Sequence, residues 1–383
     1  MLRVAMITDR YEPGRVDGGV QAVTKYLVEA LVALREIELH LIAFRYGSDT
    51  ATTAVEDGYT THTLPGASLG TLTAFAADQR KVDACLAAIG PDVVHAQGAG
   101  HNGIVACRSR YPAVVTIHGI MAEEAKHYTG FGRRTRHRLL SRLSERWCIS
   151  RAQHTILISP SVERYYGSRL GGQHYLIPNP IADEFFDIPR DEEPARVLFA
   201  GRVYPLKGVR DLVVAAAKVA RARPIELALA GSLDDRAYLR ELEQAARDLG
   251  IADRVHFLGL LDEAALRGEL ARAAVLALPS YQETAPMVLA EAMAAGVPVV
   301  ASNVGGIAWQ VANGKDGFLV EPGDVDALAD RLARLLADDE LRKSFGAAAR
   351  SRAMAEYRAA EVARKTVNVY HRMIAARPAA AGP

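Results

Sequence analysis

Short apolar runs alternate along this chain with longer stretches whose apolar positions recur every three to four residues. That alternation predicts parallel strands covered by helices. In the first half VAMIT (4–8), ELHLIAF (38–44), DVVHA (92–96), AVVTIHG (113–119) and HTILIS (154–159) read as strands. The rhythm stops over 177–195 and starts again with RVLFAG (196–201), IELALAG (225–231), RVHFLG (254–259), AVLALPS (274–280) and VPVVAS (297–302). The expected fold class is α/β, with two Rossmann-like doubly wound domains. The interval between them carries Pro178, Pro180, Pro189 and Pro194 and the acidic cluster Asp191 to Glu193, which is the composition of a linker. The domains are therefore expected at 1–180 and 181–361. The Ala- and Arg-rich end keeps a helical period to about Ala376, and Pro378 to Pro383 reads as a disordered tail.

Composition narrows the partners. A length of 383 residues fits two domains at about 100 to 200 residues each. The 46 Lys and Arg nearly cancel the 45 Asp and Glu, so no global field recruits nucleic acid, and any anion must be held by a local arrangement. Cys85, Cys107 and Cys148 lie far apart, without the spacing of a zinc site or redox couple, which suits a reducing compartment. The opening MLRVAMITD is too short an apolar run for a signal peptide, and no run of about 18 to 20 apolar residues follows. The expected protein is soluble and cytoplasmic, with peripheral contact at the inner membrane as a further option.

Chemistry concentrates at strand ends, where open parallel sheets bind ligands. In ALPSYQETAPMVLAEAMAAGVPVVAS (277–302) a buried strand runs to Ser280, and a polar loop carries Glu283. Ala285, Pro286, Met287 and Val288 form a helix start, with Pro286 as its first residue and Gly296 as its stop. A helix start offers free N–H groups and partial positive charge to a phosphate. Glu283, before the helix, and Glu291, inside it, are acceptors for sugar hydroxyls at two depths; read singly, one is a capping carboxylate and the other a solvated one. In RVLFAGRVYPLKGVRD (196–211) a strand delivers Arg202 at its end, and Lys207 precedes Gly208 and a new helix, so two cations are set to meet a diphosphate. Gly18 and Gly19 follow the first strand and let backbone approach a ligand closely. The loop does not spell G-x-G-x-x-G, so a dinucleotide site is not supported. His118 ends the strand of TIHG and could bond a sugar hydroxyl, and His95 in DVVHAQG is a weaker candidate on the acceptor side. For each histidine the alternative is a hydrogen-bonded structural residue.

Together these pieces resemble the retaining nucleotide-sugar glycosyltransferases of family 4, which have the GT-B fold. The resemblance covers nearly the whole chain. It rests on Gly18-Gly19-Val20, His118-Gly119, IPNPI, Gly201-Arg202 with Lys207-Gly208, and Glu283 and Glu291 followed by EAMAAGVPVVAS. It implies that Arg202 and Lys207 bind the donor diphosphate, Glu291 holds the ribose hydroxyls and Glu283 contacts the transferred sugar. It further implies that His118 contacts the donor sugar, that the Gly18-Gly19 loop lies near the phosphate and acceptor, and that the C-terminal helix, about 362–376, packs back on the first domain. The sequence departs from the family pattern at Ala285 and Pro286, where an aromatic-Gly pair is usual, and at Trp309, where relatives often carry Glu.

The expected reaction moves a sugar from a nucleoside diphosphate sugar to a hydroxyl of a glycan, lipid or small aglycone. No cofactor is expected. Asp324-Val325-Asp326 has a metal-binding spelling, but it follows Pro322-Gly323 and opens a helical run, so N-capping explains it better and no metal is expected. Arg202, Lys207 and the helix start would neutralise the leaving diphosphate, with the acceptor attacking from the face of the departing phosphate. A sugar-nucleotide epimerase or hydrolase, or a non-catalytic sugar-nucleotide binder, are the other classes consistent with these motifs. Residues 133–151, RRTRHRLLSRLSERWCISR, hold seven arginines against one glutamate. They read either as a patch for anionic lipid or an acidic acceptor, or as a helix packed by its apolar side with solvated arginines.

Overall fold

The computed structural model describes residues 1–9, 11, 18–66, 75–120, 123 and 142–376. The expected tail after Pro378 and the first half of the Arg-rich segment, including Arg134 and Arg138, lie outside these residues. The chain divides into two compact units, Met1–Pro180 with Ala359–Pro383, and Ile181–Arg358.

The first unit is built on an eight-stranded sheet in the order β3-β4-β2-β1-β5-β6-β7-β8. Its strands are β1 (Leu2–Ile7), β2 (Ile37–Tyr46), β3 (Thr52–Val55), β4 (Tyr59–Gly66), β5 (Val93–Gln97), β6 (Ala113–Ile117), β7 (His154–Leu157) and β8 (Gln173–Leu176). All pairings are parallel except β3 with β4. Helices α1 (Gly19–Ala33), α2 (Ala76–Ile89), α3 (His101–Arg108), α4 (142–151) and α5 (Pro160–Tyr166) connect them. The sequence pattern missed β3, β4 and β8. The four β3 residues are all exposed, and three of the four in β8, so neither edge strand carries a buried apolar signature.

The second unit has six parallel strands in the order β11-β10-β9-β12-β13-β14. These are β9 (Glu193–Ala200), β10 (Glu226–Ala230), β11 (Val255–Gly259), β12 (Ala273–Leu278), β13 (Val299–Ser302) and β14 (Gly317–Val320). The covering helices are α6 (Val209–Ala220), α7 (Arg236–Asp248), α8 (Glu263–Arg272), α9 (Met287–Ala294), α10 (Ile307–Gln310), α11 (Val325–Ala337) and α12 (Asp339–Glu356). The four-residue β14 was also missed.

The interval expected as a linker is largely packed. Phe185 and Phe186 are buried, Arg342 pairs with Glu192 at 2.9 Å, Arg272 pairs with Glu193 at 2.6 Å, and β9 already opens at Glu193. The acidic cluster is therefore tied to its own unit rather than left in solvent. The chain leaves the second unit where it entered, since the Ile181 amide donates to the Tyr357 carbonyl at 2.7 Å.

Helix α13 (Ala359–Ala375), which begins three residues before the expected point, belongs to the first unit. Its Val362, Ala363, Thr366, Val367, Tyr370 and Met373 recur at helical spacing and are buried. Val362, Ala363, Val367 and Tyr370 share one apolar cluster with Leu27, Val28 and Leu31 of α1 and with Val4, Met6 and Val93 of the sheet. Burying a side chain of this size stabilises by about 1.5 to 3 kcal/mol, so α13 is an integral layer of the unit. Among the described residues, no helix is long and apolar enough to cross a membrane.

Candidate active site

In the second unit the strand order reverses between β9 and β12, and the segments after these two strands are where an open sheet of this kind presents a ligand site. After β9 the chain passes Gly201 and Arg202, makes a 3-10 turn over Pro205–Lys207 and enters α6. After β12 it passes Ser280 and Glu283 before α9. The two segments meet there. Lys207 Nζ donates to Glu283 Oε1 at 2.5 Å, and Ser280 Oγ donates to the same oxygen at 2.8 Å. The side chains of Lys207 and Glu283 are only 18% and 9% exposed, which strengthens the ion pair relative to a surface one. An ammonium has three N–H donors, so two remain for a ligand when one serves Glu283.

Two glycines make this approach possible. Gly208 has φ +65°, and a Cβ there would fall 2.1 Å from the Pro279 carbonyl oxygen. Gly305 has φ +49°, and a Cβ there would fall 1.8 Å from the Glu283 carbonyl oxygen, which also accepts from the Gly306 amide at 3.3 Å. Both positions require a left-handed backbone and no side chain.

The strand before Glu283 ends at Leu278 rather than at Ser280, and Pro286 caps α9 without being its first turn, with φ −65° and ψ 127°. The helix opens at Met287 and Val288. No side chain caps this start, and no acidic residue stands in its first turn. Its amides and partial charge are therefore not neutralised locally. Ala285 completes the approach to it. Arg202 is exposed, with its guanidinium 5.9 Å from the centre of the Tyr204 ring and no acidic partner among the described residues.

Glu291, within α9, is 5% exposed. Burial, with a smaller contribution from the Glu263 carboxylate, pushes its pKa up to about 8, so the carboxyl holds its proton at neutral pH. Asp324 and Asp326 both have partners within the fold. Asp324 Oδ1 accepts the Ala327 amide at 2.9 Å and caps α11, while Asp326 pairs with Lys218.

In the first unit the sheet reverses at β1 and β5, and Gly18 caps α1 with an extended backbone. A Cβ at Gly18 would meet nothing within 4 Å, so the fold itself does not demand glycine there. Gly19 is the first residue of α1, whose start no side chain caps. His118 follows β6 and is half-buried, with Nε2 2.7 Å from Gln97 Oε1 at the end of β5. Nδ1 is enclosed, and the Asn179 side chain interacts with the ring. Burial lowers its pKa to about 4, so the ring is neutral.

His95 does not fit the acceptor-side role suggested by its strand-end position. Its side chain has no exposure, and its nitrogens lie 2.7 Å from Tyr370 Oη and 2.7 Å from Thr116 Oγ1. Burial drives its pKa down to about 3. It is a core residue because β5 is a central strand and every one of its positions is buried.

Ser280, Gln97 and Asn179 were missed by sequence reasoning. Each lay inside a quoted motif, but only proximity across strands shows what it holds. Of the Arg-rich segment, α4 buries Glu145, Cys148 and Ile149 and leaves Arg142 and Arg146 exposed. The guanidinium groups of Arg108 and Arg151 lie over the Trp147 ring, 4.8 and 5.1 Å from its centre.

Comparison with known proteins agrees with this layout. The family model of the glycosyl transferases group 1 matches residues 180–352, and that of glycosyltransferase family 4 matches residues 17–185. A glycogen synthase of Mycobacterium tuberculosis is 32% identical over 292 residues, covering 73% of this chain and 68% of that protein. An uncharacterized glycosyltransferase of Methanocaldococcus jannaschii is 34% identical over 179 residues, 47% of this chain and 45% of that protein, so this match spans less than half of either. Among solved structures, a sucrose-phosphate synthase from Thermosynechococcus elongatus superposes with a TM-score of 0.83 at 25% identity, covering 98% of this chain and 100% of that one. With two Rossmann-like units, a ligand-ready strand reversal in each and both family models matched, the chain belongs to the family 4 glycosyltransferases, the group 1 glycosyl transferases, on the GT-B fold.

Proposed function

We propose that this glycosyltransferase takes its sugar from a nucleoside diphosphate sugar and transfers it, with retention, to a hydroxyl of a glycan, glycolipid or small aglycone. The observation that carries the reading is the convergence of Lys207 and Glu283 beside the uncapped start of α9, at the strand reversal of the second unit. Cation, carboxylate and helix start together suit a ligand that has both phosphates and hydroxyls.

In this reading Arg202 and the free N–H groups of Lys207 hold the diphosphate, with the amides of Met287 and Val288 on the same group. Glu283 accepts from hydroxyls of the sugar, Glu291 meets the ribose, and His118 takes a sugar hydroxyl from the first unit. The Gly18-Gly19 backbone leaves room for phosphate or acceptor. As the anomeric C–O bond breaks, negative charge grows on the leaving diphosphate, where these donors are already oriented. The acceptor hydroxyl attacks from the same face, and a leaving phosphate oxygen takes its proton. This front-face course asks for no carboxylate on the far side of the sugar, unlike the two-carboxylate hydrolase scheme.

A thermal-shift panel of UDP-, GDP-, ADP- and TDP-sugars identifies the donor, because a ligand of the native state raises apparent stability. Turnover of that donor is then measured with and without acceptors. Release that depends on acceptor, abolished by Glu283→Ala with modest loss of nucleotide binding, is the expected result. Release without acceptor marks a hydrolase or epimerase, and binding without release marks a non-catalytic binder.

A further inference from the structure

Cys107 and Cys148 are far apart in the sequence, outside any local redox spacing, yet they meet where α3 packs against α4. Gly103 sets the approach. A Cβ there would fall 2.6 Å from Cys148 Sγ, so the α3 backbone passes directly over that sulfur. Cys107 stands one turn further along the same face of α3, because helix residues four apart project to one side. Cys148 accordingly donates its S–H to Cys107 Sγ. The neighbouring residue on each helix makes a second contact in the same register, with the Arg108 guanidinium 4.8 Å from the centre of the Trp147 ring. Two adjacent contacts thus hold the sulfurs facing each other.

The two thiols are unequal. Cys107 is half-buried and open to solvent on one side, whereas Cys148 is buried. The bond that Cys107 receives from Cys148 lowers the pKa of Cys107, while giving that bond, together with burial, raises the pKa of Cys148. An accessible sulfur with thiolate character beside a second sulfur that can resolve it is the arrangement of a reversibly oxidised pair. Cys85 on α2 lacks it, since burial pushes its thiol up to about 11.

We propose that Cys107 and Cys148 form a redox modification site, at which a hydroperoxide drives a reversible disulfide that fastens α4 to α3. Cys107 Sγ attacks the hydroperoxide. The O–O bond breaks, an S–O bond forms, and the second oxygen leaves as alcohol or water. Cys148 Sγ then attacks the Cys107 sulfur, the S–S bond forms, and the hydroxyl departs as water with the Cys148 proton. Two thiols are oxidised and one hydroperoxide is reduced. A dithiol reverses the link by exchange, so the site suits a compartment whose resting state is reduced. The loop that the link closes contains β6, His118 and the exposed Arg142 and Arg146 of α4. The chemistry is separate from glycosyl transfer and does not depend on it.

The test exposes reduced full-length protein to hydrogen peroxide in small excess, alkylates the remaining thiols and maps the peptides by mass spectrometry. The expected product is an intramolecular link between the Cys107 and Cys148 peptides with Cys85 alkylated, and dithiothreitol returns all three free thiols. Cys148→Ser should stop at a Cys107 sulfenic acid that dimedone traps. Cys107→Ser should consume peroxide at least about tenfold more slowly than wild type, because the attacking sulfur is gone and Cys148 is enclosed. If either variant does not fold, the wild-type peptide map decides. Links that involve Cys85, links only between molecules, overoxidation of Cys107 without a link, or three unmodified thiols would each overturn the proposal. Peroxide consumption by Cys107→Ser at the wild-type rate would do the same.

Discussion

Lys207 Nζ and Glu283 Oε1 stand 2.5 Å apart, although one follows β9 and the other β12. The pair holds together the two segments at the reversal of the sheet, and Ser280 adds a second donor to the same carboxylate oxygen. Lys207→Ala leaves Glu283 largely buried without its counter-charge, a loss that for enclosed pairs reaches about 3 to 5 kcal/mol. Lys207→Ala should therefore cost more stability than Lys207→Ala with Glu283→Gln, since the second change removes the stranded charge. Denaturant titration of the single and double variants measures this, and equal losses would show that the pair is not coupled. The same single variant should bind nucleoside diphosphate roughly ten- to a hundredfold more weakly, as expected for a lost charge-assisted bond.

Glu291 gives the donor unit a pH signature. Its folded pKa of about 8 lies above the ordinary carboxyl value, so the folded state holds this proton more tightly than the unfolded chain. Its contribution to stability is complete below the unfolded pKa near 4.3 and is lost as pH rises through about 8. Glu291→Gln keeps a neutral group of the same shape at every pH. The melting temperature of the variant relative to wild type should therefore climb from pH 5 to pH 8.5. A difference independent of pH would mean that Glu291 is ionised in the native protein.

Strand-end chemistry was legible because the β9 and β12 cores are continuous apolar runs and their ends carry glycine and charge within a few residues. That ground marks Arg202, Lys207 and Glu283 as candidates, whereas Glu291 lies inside a helix and its role, like theirs, came from the family resemblance. What could not be read is pairing across the sheet. Nothing in the local sequence tells that Ser280 serves Glu283, or that His95 turns inward to a tyrosine 275 positions away while His118 is half-buried beyond the end of β6. The missed edge strands have a related cause, since β3 is stabilised by its antiparallel ladder to β4 and buries no side chain of its own. The packed interval after Pro180 was misread because prolines and acidic residues mark turns whether or not arginines elsewhere in the fold answer them.

Two glycines of the site separate backbone need from ligand need. Gly305→Ala meets both a left-handed φ and a carbonyl oxygen 1.8 Å from the new Cβ, so the Glu283 segment must shift. Stability should fall by about 1 to 3 kcal/mol, with nucleotide binding falling alongside. Gly18→Ala meets neither obstacle and should melt within a degree or two of wild type. If transfer also survives Gly18→Ala unchanged, the Gly18-Gly19 backbone does not approach substrate.

Arg202 isolates the ligand term from the fold. It is exposed and, among the described residues, has no carboxylate to pair with, only the edge of contact with Tyr204. Removing it leaves no buried partner unsatisfied, so Arg202→Ala should change unfolding free energy by no more than about 0.5 kcal/mol. A guanidinium on a diphosphate should nevertheless be worth roughly ten- to a hundredfold in affinity. Because the contact is electrostatic and solvent-exposed in the free protein, added salt should weaken wild-type binding more than binding by the variant. Calorimetric titration with a nucleoside diphosphate at low and high salt tests both statements. Equal affinity and equal salt dependence would take Arg202 out of the diphosphate site and leave that charge to Lys207 and the start of α9.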